Sequence, residues 1–173
     1  MKRTLSLTLL ASAALSQAQV TPITLHAGYH RTNTFTATNG NRTSLEGIEL
    51  GVSQSYVKLP FLGEIRLGAS VVLGGVLRKG GDADGNIFAI QASYRTPMAG
   101  PNGLYGLGGV GFYSAQSRGN SFSNVSGVGV HFGVGLPLSS PVPGVPAPAI
   151  ELQYRLGPKE QLRGLSVGLA LRF

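Results

Sequence analysis

Three carboxylates and four guanidinium groups hold most of the chemical potential of this chain. They are Glu49, Glu64 and Glu151, with Arg66, Arg95, Arg155 and Arg172. Each lies on the small-residue side of a two-residue alternation, among Gly, Ser and Ala. Charges in such a place are very costly when buried alone, so they must pair. Two kinds of chemistry fit them. One is a network of ion pairs that fills an interior and fixes strand register. The other is the lining of a narrow polar pore for small solutes.

Other candidate chemistry is weaker. His26 and His30 are four apart on one extended segment, about 13 Å by strand rise, too far to share a metal. Packing or hydrogen bonding is the expectation for both, and for His131. Gly106-Leu107-Gly108-Gly109-Val110-Gly111 matches the dinucleotide pattern G-x-G-x-x-G. That pattern needs a following helix and a later acidic residue, whereas here a strand end and a loop follow, so the glycines read as structural. Asp82-Ala83-Asp84-Gly85-Asn86 starts like a calcium loop. Its glycine is misplaced and no glutamate closes it, which leaves a tight turn. No catalytic residue, cofactor or metal is expected.

The elements that must position the charged set are strands. All ten prolines fall between alternating segments, as expected of a residue that cannot donate to a sheet ladder. Eight segments lie between the breaks: 23–33, 45–57, 63–76, 87–96, 104–115, 125–136, 149–156 and 165–173. Most have the ~10-residue length that crosses a hydrocarbon core when tilted. On the third, Ile65, Leu67, Ala69, Val71 and Leu73 oppose Glu64, Arg66, Gly68, Ser70 and Gly74. The last alternates Leu165, Val167, Leu169, Leu171 and Phe173 with Ser166, Gly168, Ala170 and Arg172. The fifth is too rich in glycine to reveal its faces.

Composition decides which face is wet. Charged residues are 12% of the chain, well below the share a soluble domain carries, and glycine is 26 of 173. The polar face is too poor in charge to serve as a solvated surface. It suits a crowded interior, so the apolar face is assigned to lipid. Lipid demands that every backbone group be paired, which a closed barrel achieves. The fold expected is all-β, an eight-stranded antiparallel up-and-down transmembrane β-barrel. The abundance of interior glycine suggests a little more space than eight strands usually leave.

The amino terminus reads as an export signal. Lys2 and Arg3 precede an uncharged apolar stretch, and Ser16-Gln17-Ala18 is a small-x-small cleavage site. Residues 1–18 are thus expected to be a signal peptide and 19–173 the barrel. With no cysteine, an exported chain must hold together without disulfides. Both termini would be periplasmic. The periplasmic turns would be 58–62, 97–103 and 137–148, the last proline-rich and stiff. The outward loops would be 34–44, 77–86, 116–124 and 157–164. These loops carry Arg42, Arg78, Lys79, Arg118, Lys159 and Arg163, which invite contact with anionic envelope components. Despite a pI near 10.2 the cations are dispersed and the chain exported, so nucleic acid is not expected as a partner. Tyr56, Phe61, Tyr94, Tyr105 and Phe173 fit one interfacial aromatic girdle, and Phe88, Tyr113 and Tyr154 the other.

With these features the whole mature chain resembles the small eight-stranded outer-membrane barrels, the group of OmpX, OmpW and the membrane domain of OmpA. The resemblance implies the outer membrane, with its lipids and possible envelope proteins as neighbours. It also implies that Leu169, Leu171 and Phe173 form a signal for the barrel assembly machinery. Some such barrels modify lipid A, and the deacylases carry a serine two residues after a histidine. Val130-His131-Phe132-Gly133 lacks it, so a structural or interaction role is expected rather than an enzymatic one.

Overall fold

The computed structural model describes residues 21–59, 61–75, 83–99, 103–139 and 147–173. The expected leader, Arg78, Lys79, Asp82 and the middle of the proline-rich turn lie outside the described residues.

Strand β1 (Ile23–Thr32) is followed by two short strands, β2 (Phe35–Thr36) and β3 (Arg42–Thr43). Seven long strands come next: β4 (Glu46–Leu59), β5 (Gly63–Gly74), β6 (Gly85–Arg95), β7 (Tyr105–Ser117), β8 (Val125–Pro137), β9 (Pro148–Leu156) and β10 (Gly164–Arg172). A single 3₁₀ turn, Glu160–Leu162, precedes β10. The eight long strands form a closed barrel in the order β1-β10-β9-β8-β7-β6-β5-β4, while β2 and β3 pair separately. Every adjacent pair is antiparallel, and β1 closes on β10 through nine facing residues from Thr24↔Arg172 to Thr32↔Gly164. The eight expected segments are the eight long strands. Pro137 and Pro148 fall on strand ends rather than outside them, where a missing N–H does least harm.

Alternation dictates the faces. Leu50, Ile90, Val128, Phe132 and Leu169 are exposed, and Ile90 and Val128 are each 71% accessible. Their polar neighbours Glu49, His131 and Glu151 are buried inside. Large apolar side chains cover the outside of every long strand, which is a surface suited to lipid and not to water.

Two local features depart from simple alternation. A bulge between Ser55 and Val57 makes Tyr56 an extra residue on β4. Past it, Val57 pairs with the outward Ile65, so the exposed face moves from even to odd positions. The second departure is on β7. Val110 and Phe112 face out, whereas Tyr105, Leu107 and Tyr113 are buried within the barrel. Tyr105 and Tyr113 therefore do not belong to the girdles, contrary to the expectation from their places near strand ends. Each has an interior hydrogen-bond partner that lipid would not supply.

The two ends of the interior differ. At the end holding the longer loops, Phe35, Leu45, Val72, Ile87, Tyr113, Phe122 and Leu162 form a buried apolar cluster. The Phe35 and Phe122 rings meet edge to face at 5.4 Å. The half nearer the termini is polar and charged.

Candidate functional site

The site is the lumen. Each strand contributes its inward positions, and the ladder registers stack them. Glu49 pairs across to Gly28, Gly28 to Gly168, and Gly168 to Glu151. The two carboxylates thus share one row, separated by two residues without side chains. That gap produces a cavity of about 40 Å³, bordered by His26, Glu49, Ser70, Gln91, Glu151 and Ser166. It has room for a few waters. Water there would satisfy Gln91 Oε1, a buried acceptor with no partner in the protein.

On the loop side of this row, Glu49 is ion-paired to Arg155, whose side chain is 2% exposed. Ser166 donates to Glu49 at 2.6 Å, so its one proton is used. His30 Nδ1, 2.8 Å from Ser166 Oγ, must then carry the hydrogen of that contact. Arg155 also reaches Ser70 at 3.4 Å and lies 5.7 Å from the centre of the Tyr113 ring.

On the terminal side, Glu64 accepts from Ser55 at 2.7 Å and from Arg172 at 2.7 Å. Arg95 approaches Glu64 at 3.4 Å and lies over the Tyr105 ring at 3.8 Å. Tyr105 donates to Glu151 at 2.7 Å, and Gln153 donates to it at 3.0 Å. Arg66 bridges the carboxylates, 4.0 Å from Glu64 and 3.9 Å from Glu151. All seven charged residues singled out in the sequence are therefore brought into ion pairs inside the barrel.

The histidines join this network and do not converge on a metal. Among the described residues no group of three His, Asp or Glu side chains is placed to hold one. His131 lies between Ser93 at 2.9 Å and Tyr113 at 3.0 Å. His26 lies 3.1 Å from Glu151 and 3.3 Å from Ser53. The order Ser53–His26–Glu151 has the outline of a nucleophile, base and orienting acid. Arg66, however, donates to Ser53 Oγ at 2.6 Å, and the cavity beside His26 is too small for an acyl substrate. The three side chains form part of the interior hydrogen-bond network.

Interior glycines make room for rings more than for solute. A Cβ on Gly109 would meet the His131 ring at 2.8 Å, and one on Gly135 would collide with Tyr105. The extra space expected comes to the one small cavity described above, which Gly28, Gly51 and Gly168 border.

The cations expected on the loops are placed unequally. Arg42, Arg118 and Lys159 are exposed. Arg163 is committed, bonded to Glu160 at 2.6 Å and to the Gly157 carbonyl at 2.7 Å. Sequence reasoning missed Arg31, exposed at the end of β1 and 3.1 Å from Glu46. Carrying the outward positions Leu25, Ala27 and Tyr29 two residues further would have found it.

The comparisons concern fold. The structure of Neisserial surface protein A, NspA, superposes with a TM-score of 0.55 at 15% identity, over 87% of this chain and 95% of that one. Ail, the attachment invasion locus protein of Yersinia pestis, gives 0.48 at 18% identity, over 88% and 99%. Its complex with the heparin analogue sucrose octasulfate gives 0.45 at 17% identity, over 88% and 99%. The chain shares the fold of the small eight-stranded outer-membrane barrels. No protein-family model and no curated protein matches the sequence.

Proposed function

We propose that this protein is an outer-membrane barrel with a sealed lumen, acting through its surface and not by passing solutes. The observation that carries this reading is the double filling of the interior. The charged network fills one half, an apolar cluster fills the other, and the cavity within the network is water-sized. The apolar belt and the fold support a place in an outer membrane, with the loop end outward. Surface-exposed Arg42, Arg118 and Lys159 then face the exterior and supply contacts for anionic envelope components, the interaction role this reading favours.

Planar bilayer recording tests the sealed lumen. Incorporated protein should give no stable conductance step; reproducible steps would overturn the reading in favour of a pore. Location has its own test. The protein should sediment with outer-membrane markers, and recovery from the soluble periplasm without detergent would refute it.

Assembly is also part of the proposal. Leu169, Leu171 and Phe173 all lie exposed on the outside of the closing strand or at its end. Phe173 exchanges two backbone hydrogen bonds with Ile23, at 2.8 and 3.1 Å. Deleting Phe173 should lower the folded, heat-modifiable fraction in membranes while export continues, as read by gel mobility.

A further inference from the structure

The start of β6 carries oxygens that the lumen does not use. Six side chains among the described residues carry a carboxylate, and five of them are ion-paired. Glu46 has Arg31, Glu49 has Arg155, Glu64 has Arg95, Glu151 has Arg66 and Glu160 has Arg163. Asp84 is the exception. Its side chain has no ion pair and no hydrogen bond among the described residues, although its Oδ1 is buried. Two residues on, Asn86 Oδ1 is also a buried acceptor without a partner. The backbone puts these oxygens on one side. The β6–β7 ladder pairs Asn86 with Gln116 and Gly85 with Ser117. The Arg118 N–H then donates to the Asp84 carbonyl at 2.8 Å, so the pairing runs on to Asp84. In extended chain Asp84 and Asn86 share a face, here the outward one that continues to Phe88. Gln116, exposed, lies across from Asn86 on that face. Just past β5, Gly75 has φ +82° less two, that is +80°, and a Cβ there would stand 2.7 Å from Asp84 Oδ1. The missing side chain leaves the space that the carboxylate occupies.

We infer that Asp84, Asn86 and Gln116 form a calcium site on the rim of the barrel at its loop end. Two buried acceptors side by side, one of them charged, lack any donor, and burial without a partner is costly. A water molecule could donate to both but would leave the charge unpaired. A cation answers both needs. The donor set is all oxygen, a carboxylate with two side-chain amides, which suits a hard cation. Neighbouring side chains on one face of a strand stand about 7 Å apart at Cα, and a calcium ion with bonds of about 2.4 Å can join their oxygens. Calcium accepts such irregular sets completed by water, whereas magnesium demands a near-ideal octahedron. The site differs from the helix-flanked loop that Asp82-Ala83-Asp84-Gly85-Asn86 superficially matches, because its ligands stand on two paired strands. Bound there, calcium ties the start of β6 to the end of β7. The site lies outside the lumen, so it goes beyond the sealed-barrel reading and is tested separately from it.

The test uses the folded barrel in a zwitterionic detergent, stripped of divalent ions with a chelator. Equilibrium dialysis against radioactive calcium should find one ion per barrel, with a dissociation constant of about 10⁻⁴–10⁻³ M, the range of extracellular calcium modules. Absence of saturable binding across that range overturns the site. Asp84→Asn should weaken binding by about tenfold or more, because it removes the one charged ligand. Gln116→Ala, at an exposed position, should weaken it by a smaller factor with the fold intact. Unchanged affinity in both variants would place the ion elsewhere and overturn the assignment. Magnesium at equal concentration should not displace the calcium; full displacement would show general screening by divalent ions and count against the site. The rival partner for Asp84 is a cation of this chain. Arg118→Gln and Arg78→Gln/Lys79→Gln should leave the melting temperature in chelator unchanged. A drop that Asp84→Asn cancels would show that a protein side chain already neutralises Asp84, and the proposal would fall. A heat-modifiability gel confirms that each variant is folded. Failure here leaves the sealed lumen standing, since that reading is tested by conductance.

Discussion

The two halves of the lumen are filled by opposite means, and in the proposed reading each filling acts as a seal. Toward the loops the seal is apolar, built from Phe35, Leu45, Phe122 and Leu162 on connecting segments over Val72 and Ile87 on strands. Toward the termini the seal is ionic, built from inward strand positions such as Glu64, Arg66, Arg95 and Glu151. The apolar half gains from removing surface from water and tolerates inexact geometry. The ionic half gains little net energy over apolar packing but punishes any missing partner. A barrel with both has one seal that adapts and one that enforces register.

The largest way to break this comparison lies at Arg155. Arg155→Met removes the buried partner of Glu49 and leaves a carboxylate without its cation. The expected loss is about 3–5 kcal/mol, measured by denaturant unfolding in lipid vesicles. A loss under about 1 kcal/mol would show that Ser166 and water alone satisfy Glu49. Leu45→Ala attacks the apolar seal and should cost about 2–4 kcal/mol by the same measurement. It should not open a conductance, because the ionic half remains. Conductance from Leu45→Ala alone would show that the two seals are not in series. The smallest expected effect is at Arg172, whose side chain is one-third exposed. Arg172→Gln leaves Glu64 with Ser55 and Arg95 and should cost about 1 kcal/mol or less. A larger cost would mean that the ionic seal depends on its most open member.

The halves also differ in how legible they were. Glu49 and Glu151 could be placed inside because each stands between two outward apolar residues of a regular strand, and Glu64 because it opens the alternation that Ile65 and Leu67 continue. Their partners were not readable, since Arg155 on β9 reaches Glu49 on β4 across the lumen, between strands that are not neighbours. The apolar seal left almost no trace. Phe35 and Phe122 are single rings in segments otherwise rich in Thr, Asn, Ser and Gly, and only barrel closure brings them together. Tyr105 and Tyr113 misled for a related reason. Glycine on both sides of a strand erases the contrast that marks a face, so position along β7 stood in for direction. The bulge at Tyr56 is hidden as well, because it is defined by the partner strand.

The seam between β1 and β10 has a consequence for the order of events in the cell. Its interior contact between His30 and Ser166 joins residues 136 apart in the chain. A ribosome makes β1 long before its partner exists. Until β10 arrives, any sheet already formed has two bare margins, each able to recruit a stranger. Pairing that started early would be open to capture by other nascent chains. The barrel is thus a structure that benefits from delay. Its first strand has to be kept waiting for its last, and the ring becomes safe only in the moment it shuts.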